Sequence, residues 1–399
     1  MLELLRGIRV IDLTTIVSGP YATQILGDLG ADVIKVESPA GDLFRAVRPG
    51  RSAHMGAGYL NCNRNKRSIV IDLKDPRGQP LLRRLLQRAD VLVHNMRAQA
   101  AAELGLAYRQ LHHDFPRLVY CHAPGFGHAG RYDAAPAYDD IIQALCGLAH
   151  LNRNEEQPRF LRTIVCDKVA GLHLAIAVLG ALVRRLRSDS GCEIEVPMFE
   201  SMVSFLMLEQ LAGQSFQPPL GPIGYDRLLS PHRNPYRSRD GFVSILPYNT
   251  THWVAFLTFI GRTDLAAADW VCDPTRRSQS IDTLYQLIAS VAPARSTQEW
   301  LSALSGLDIP CAPVKRLDEL FEDPHLRDVG LFESVAHPSE GALRSVRTPF
   351  VMPDNPSQPD RSAPALGAQS REILAEAGIE AEHVEELLAA GVVRMPAGT

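Results

Sequence analysis

The chain has 399 residues, enough for two or three domains at the usual size of roughly 100–200 residues each. Charged residues make up 22% and hydrophobic residues 46%, a globular balance that excludes a mostly disordered chain and a small disulfide scaffold. The net charge is −4, from 41 basic and 45 acidic residues. No global basic field points to nucleic acid, so no nucleic-acid partner is expected, and an anionic ligand would need a local cluster of cations.

The seven cysteines are dispersed and form no CxxC pair, which suits a reducing cytoplasm. No HExxH motif or Cys/His cluster suggests a metal, although His112, His113 and His122 are close in sequence. The N-terminal residues 1–6 lack a signal-peptide apolar core. The most apolar stretch, residues 169–183, is interrupted by His173 and falls short of the ~20 residues of a membrane span. It is expected to be a buried core helix, with no membrane partner.

Strand and helix signals alternate from the start. Residues 8–13, 33–37, 69–73, 91–93 and 118–121 read as short buried strands. Residues 21–29 have helical spacing after Ser18-Gly19-Pro20, with Gly30 as the C-terminal stop, and residues 81–86 form a second helix. This alternation predicts a parallel sheet covered by helices. Helices are expected over 141–148, 168–187 and 199–212, and a strand over 191–196. Gln217-Pro218-Pro219-Leu220-Gly221-Pro222 breaks both helix and strand and marks a boundary. A second region follows, with a strand at 241–246 and helices at 253–260 and 281–291. Residues 355–365 are again rich in Pro and Ser, and the tail is helical at 370–377 and 383–390.

Four features carry chemistry. The first turn, Thr14-Thr15-Ile16-Val17-Ser18-Gly19-Pro20, is not GxGxxG, so the dinucleotide suggested by Glu37 at the end of the second strand is disfavoured. Asn63-Arg64-Asn65-Lys66-Arg67-Ser68 is the densest cationic run, either a solvated loop or a phosphate clamp. Asp167 precedes the apolar helix; it reads as an N-cap or as an ionised nucleophile, and the two are compatible. Gly125-Phe126-Gly127 is a plain turn or a loop that brings N–H groups close to a ligand.

In order along the chain, these residues resemble family III CoA-transferases of the CaiB/BaiF type, the group of formyl-CoA and carnitine CoA-transferases. The resemblance runs through residues 5–13, Gly19-Pro20, 26–37, 63–68 with 72–74, and 89–95. It continues in residues 138–144, in Asp167, in Ile309-Pro310-Cys311-Ala312-Pro313-Val314, and in Asp323-Pro324-His325-Leu326. It implies an α/β fold: a Rossmann-like large CoA-binding domain from residues 1–215 and 330–399, and a smaller α+β domain with linkers from 216–329. It also implies an interlocked-ring homodimer. Asp167 would be the nucleophile, working through mixed anhydrides and an aspartyl-CoA thioester. Acyl-CoA and carboxylic acids would be the substrates, with no prosthetic group or metal. By position, Val17, Ser18, Ile71, Asp72, Leu73, Lys74, Asn95, Met96, Gly125, Phe126, Gly127 and Tyr138 would contact CoA or the acyl group.

The resemblance has gaps. Ser38, Glu103 and Pro124 stand where formyl-CoA transferases carry cations, so Arg64, Lys66, Arg67 or Arg97 are expected to meet the phosphates instead. The glycine-rich loop of the formyl enzymes is absent after residue 220, which disfavours formate and oxalate as substrates. Cations of the second region, Arg227, His232 and Arg233, with Arg237, either hold the far carboxylate of a dicarboxylate such as succinate or are ordinary surface groups. Two alternatives remain: a 2-methylacyl-CoA racemase, disfavoured because Tyr138 stands where racemases carry His, and a non-catalytic acyl-CoA-binding protein.

Overall fold

The computed structural model describes residues 1–154, 156–354 and 360–396. The chain divides into two compact units, Met1–Leu206 with Val329–Thr399, and Met207–Asp328. The first division falls inside a helix, Met198–Gln210, upstream of the Pro/Gly run at 217–222. Of the Pro/Ser-rich residues 355–365, positions 355–359 lie outside the described residues.

The larger unit is built on strands β1 (Arg9–Leu13), β2 (Asp32–Glu37), β3 (Lys66–Ile71), β4 (Val91–His94), β5 (Val119–His122), β6 (Cys192–Glu195) and β7 (Val393–Arg394). They lie in the order β7-β3-β2-β1-β4-β5-β6. All neighbours are parallel except β7, which runs antiparallel to β3. Each central strand buries both faces, which explains its near-continuous apolar run. Ile11, Ile34, Ile69 and Leu92 face one layer, shared with Leu81, Leu82 and Leu85. Val10, Val33, Val91 and Val119 face the other. That second layer is made by helix α1 (Ser18–Asp28) and by the longer helix α2 (Val165–Ser188). The two helices approach so closely that a Cβ on Gly171 would stand 2.7 Å from the Ser18 carbonyl oxygen.

Helix α2 is longer than its apolar stretch suggests. With 24 residues it is long and apolar enough to cross a membrane by length and composition, and 56% of its most apolar window is buried inside the protein. Chain order also gave no sign of the hairpin Phe332–His337 with Gly341–Val346.

The smaller unit is α+β. Three antiparallel strands, Tyr236–Arg237, Phe242–Ile245 and Cys311–Pro313, pack with helices Thr250–Phe259, Ile281–Val291 and Thr297–Ser305. Trp253, Phe256, Leu284, Ile288 and Trp300 fill its core.

Candidate active site

In an open parallel sheet, ligands bind beyond the carboxyl ends of the strands, where neighbouring connections leave on opposite faces. Here β1 is flanked by β2 and β4, and a cleft of 210 Å³ opens beyond β1, β4 and β5. It is lined by Thr15 and Ile16 after β1, Asn95, Met96 and Arg97 after β4, and Pro124 and Gly125 after β5, with Tyr138 among the remaining residues. Five expected contacts, Asn95, Met96, Arg97, Gly125 and Tyr138, therefore meet in one place.

Asp167 adjoins this cleft through two connections. It is the third residue of α2, not its N-cap; the cap position is Ile164, which makes no side-chain cap bond. The capping carboxylate belongs to Asp139, the first residue of the helix Asp139–Leu145, next to Tyr138. Asp139 Oδ1 accepts the Cys166 N–H at 2.7 Å and the Asp167 N–H at 3.3 Å, while Oδ2 accepts from Gln143 Nε2 at 2.6 Å. From the other side, the Ser18 backbone amide, two residues after the cleft-lining Ile16, favours the ionised form of the Asp167 carboxylate.

Asp167 is 9% exposed. Burial, reinforced by the Asp139 charge, pushes its carboxyl up to about 6, with the Ser18 N–H working in the opposite direction. Such a group is ionised at neutral pH and poorly solvated, the condition of an activated carboxylate nucleophile. The Gly125 N–H has no protein partner among the described residues, whereas the Gly127 N–H donates to Glu200 Oε1 at 3.0 Å. Phe126 is buried between Tyr132 and Phe199. Of the expected pair of glycine donors, Gly125 alone is unengaged.

The cationic run departs from expectation. Lys66 is fully buried; its Nζ lies 3.0 Å from Asp12 Oδ2, and burial pulls its ammonium down to about 8. Arg64 pairs with Asp28 and Asp360. Arg67 pairs with Asp32, Glu372 and Glu376. All three are engaged in ion pairs that hold strands and helices together, which leaves them less free to meet phosphates than their density in the sequence suggests. Arg97 lines the cleft, is exposed and carries no ion pair among the described residues. Glu37, the would-be ribose ligand, is bound by Arg45 through Nε and Nη2, both at 2.7 Å. Ile71 is 1% exposed in the core, and neither it nor Asp72, Leu73 or Lys74 lines the cleft.

In the smaller unit, Arg227 lies against the rings of Tyr225 and Tyr248, 5.9 and 5.8 Å from their centroids. Its Nη1 donates to the Tyr285 hydroxyl at 3.3 Å, and its buried Nε has no partner. His232 is half-buried and Arg233 is exposed.

A family model described as CoA-transferase family III matches residues 5–370. The chain belongs to this family. A succinate–glutarate CoA-transferase of Agrobacterium fabrum is 32% identical over 387 residues, covering 93% of this chain and 95% of that one. A succinyl-CoA:mesaconate CoA-transferase of Haloarcula marismortui is 30% identical over 389 residues, covering 94% and 97%. A CaiB/BaiF family protein from Brucella suis superposes with a TM-score of 0.78 at 28% identity, covering 94% of this chain and all of its own. Membership of family III makes the chain a CoA-transferase.

In the sequence, Asp139 stands out only as part of the stretch 138–144 that resembles the family. An Asp at a helix start is itself a signal, but one that points to its own helix, whereas this carboxylate caps another.

Proposed function

We propose that the enzyme moves CoA between carboxylic acids, at least one of them a dicarboxylate such as succinate, with Asp167 as the covalent nucleophile. The observation that carries this reading is Asp167, buried beside the cleft with its own N–H on Asp139 Oδ1 and its carboxyl pushed up to about 6 by burial. Its carboxylate attacks the donor thioester carbonyl; the new C–O bond forms, the C–S bond breaks, and CoA leaves as thiolate. The thiolate attacks the aspartyl carbonyl of the mixed anhydride and expels the donor acid, leaving an aspartyl-CoA thioester. The acceptor carboxylate displaces the thiolate to form a second anhydride. Thiolate attack on the acceptor carbonyl then gives the new acyl-CoA and regenerates Asp167. Each oxyanion needs a preorganised donor, typically worth a few kcal/mol, and the N–H groups of Ser18 and Gly125 are suited to that role. Arg97 is the cation that fits a CoA phosphate.

The dicarboxylate is supported by relatives named for succinate, glutarate and mesaconate. Arg227, whose Nη1 meets the Tyr285 hydroxyl but which has no carboxylate partner among the described residues, agrees with it, because Arg binds carboxylates through a planar fork of donors. We further propose an interlocked homodimer in the cytoplasm. The exposed stripe Leu172, Ile176, Val183 and Leu186 along α2 supports the dimer, and seven free cysteines suit a reducing compartment.

Intact mass spectrometry after brief mixing with succinyl-CoA tests the mechanism. Wild type should gain a CoA-sized adduct that hydroxylamine removes, and Asp167→Ala should gain none and lose transfer. Native spectra of the same samples should show twice the chain mass. A full rate of transfer in Asp167→Ala would remove it as the nucleophile.

A further inference from the structure

Beneath the turn that delivers the Ser18 N–H lies a set of buried charges which the reaction does not consume. Ile16 sits at φ +73°, a left-handed conformation that a β-branched residue adopts only under constraint. The polar backbone groups around it are held by four side chains. Asp12 Oδ1 accepts the Thr14 N–H at 2.9 Å, and Lys35 Nζ donates to the Thr14 carbonyl at 2.7 Å. Asn95 binds both the N–H and the carbonyl of Thr15, at 3.0 and 2.9 Å. Asp42 Oδ1 accepts the Ile16 N–H at 3.0 Å, while its Oδ2 lies 2.9 Å from Lys35 Nζ. Asp12 and Lys35 are cross-strand neighbours on β1 and β2, and Asp12, Lys35 and Asp42 are almost fully buried.

We propose that the Lys35–Asp42 ion pair is a positioning device for catalysis: it clamps Ile16 in its left-handed conformation and so sets the Ser18 amide, at the start of α1 where it packs on α2 beside Gly171, next to Asp167. Neither residue touches substrate; both act through the backbone of residues 14–18. A buried ion pair is weak evidence of stabilisation by itself. Here Lys35 donates to the Thr14 carbonyl, and Asp42 Oδ1 accepts both the Ile16 N–H and, at 2.9 Å, the Phe44 N–H, so the pair ties the strained turn to the short helix at 43–46. The inference rests on Asp167 being the nucleophile.

A double-mutant cycle between Asp42→Ala and Ile16→Gly tests it, because Gly adopts positive φ without a clamp. Asp42→Ala should lower kcat for succinyl-CoA-dependent transfer at least tenfold, with KM for CoA substrates within threefold. It should also move the acidic limb of the pH profile upward, since the Ser18 N–H favours the ionised form of Asp167. The other groups facing Asp167 are the Asp139 carboxylate and the thiols of Cys62 and Cys166; of these, Cys62 also faces the Asp42 charge, and removing that charge eases ionisation of its thiol. In the Ile16→Gly background, the same Asp42 substitution should cost less than threefold. Should Asp42→Ala not fold, Asp42→Asn carries the same cycle with a smaller loss, because it keeps an oxygen toward Ile16 but loses the charge opposite Lys35. An unchanged kcat in a folded variant overturns the proposal. So does a loss of the same size in both backgrounds, or a loss with the pH limb unmoved. The CoA adduct on wild type separates the two ideas: its absence defeats the Asp167 reading, whereas its presence with any of these outcomes defeats only the clamp.

Discussion

Two cationic regions of this molecule look alike in sequence and differ in what they leave unspent. The run from Arg64 to Arg67 puts three cations in four residues, and all three are consumed by carboxylates of the same unit. The stretch around Arg227 is less dense, yet its guanidinium is bordered by three tyrosines and has no carboxylate at all among the described residues. The difference teaches that local charge density does not measure availability for a ligand. An ion pair already made within the fold has committed its hydrogen bonds, and recruiting Arg64 or Lys66 for a phosphate would leave a buried carboxylate, Asp28 or Asp12, unpaired.

The sharpest way to break this contrast is Lys66→Met. Removing the ammonium leaves Asp12 fully buried beside Lys35 alone, and breaking a buried pair from one side costs about 3–5 kcal/mol. Urea unfolding should register that loss. Were Lys66 a phosphate ligand, the variant would instead keep its stability and show a raised KM for CoA substrates.

The same contrast explains what the sequence allowed to be read. Strands β1 to β5 are legible because burial on both faces produces unbroken apolar runs. The hairpin at 332–346 is not, because most of its residues are exposed and carry little apolar periodicity. The cations at 64–67 are visible in sequence, but their partners Asp28, Asp32, Asp360, Glu372 and Glu376 come from other elements. Asp167 stands out by resemblance; local chemistry alone favours a cap, and the cap proves to be Asp139, 28 residues earlier. The cleft residues 95–97 and 125 follow from strand ends, which the alternation of elements predicts. The clamp at Lys35 and Asp42 has no signature in sequence, because apolar strands on either side conceal a buried charge.

Arg227 tests the other half of the contrast. Arg227→Gln keeps a polar, somewhat shorter side chain but removes the charge and the fork. A hydrogen bond to a charged group is worth roughly 1.5–3 kcal/mol, so KM for succinate as acceptor should rise about tenfold to a hundredfold. Butyrate, with no second carboxylate, should be unaffected. Equal losses for both acids would show that Arg227 supports the fold of its unit and has no part in selecting dicarboxylates.

The smallest effect separates the two causes that raise the Asp167 pKa. Burial is the larger and the Asp139 charge the second. Asp139→Asn removes the charge while leaving a carbonyl oxygen to accept the Cys166 and Asp167 amides. Transfer requires ionised Asp167, so activity should fall as pH drops through about 6. Without the neighbouring charge the ionised form is easier to reach, and the acidic limb of kcat/KM should move to lower pH. The shift should recover only part of the distance to the ordinary value of 3.8, because burial remains. A limb that moves upward, with kcat reduced, would mean that Asp139 acts mainly by fixing the start of α2 and that its charge matters little to Asp167.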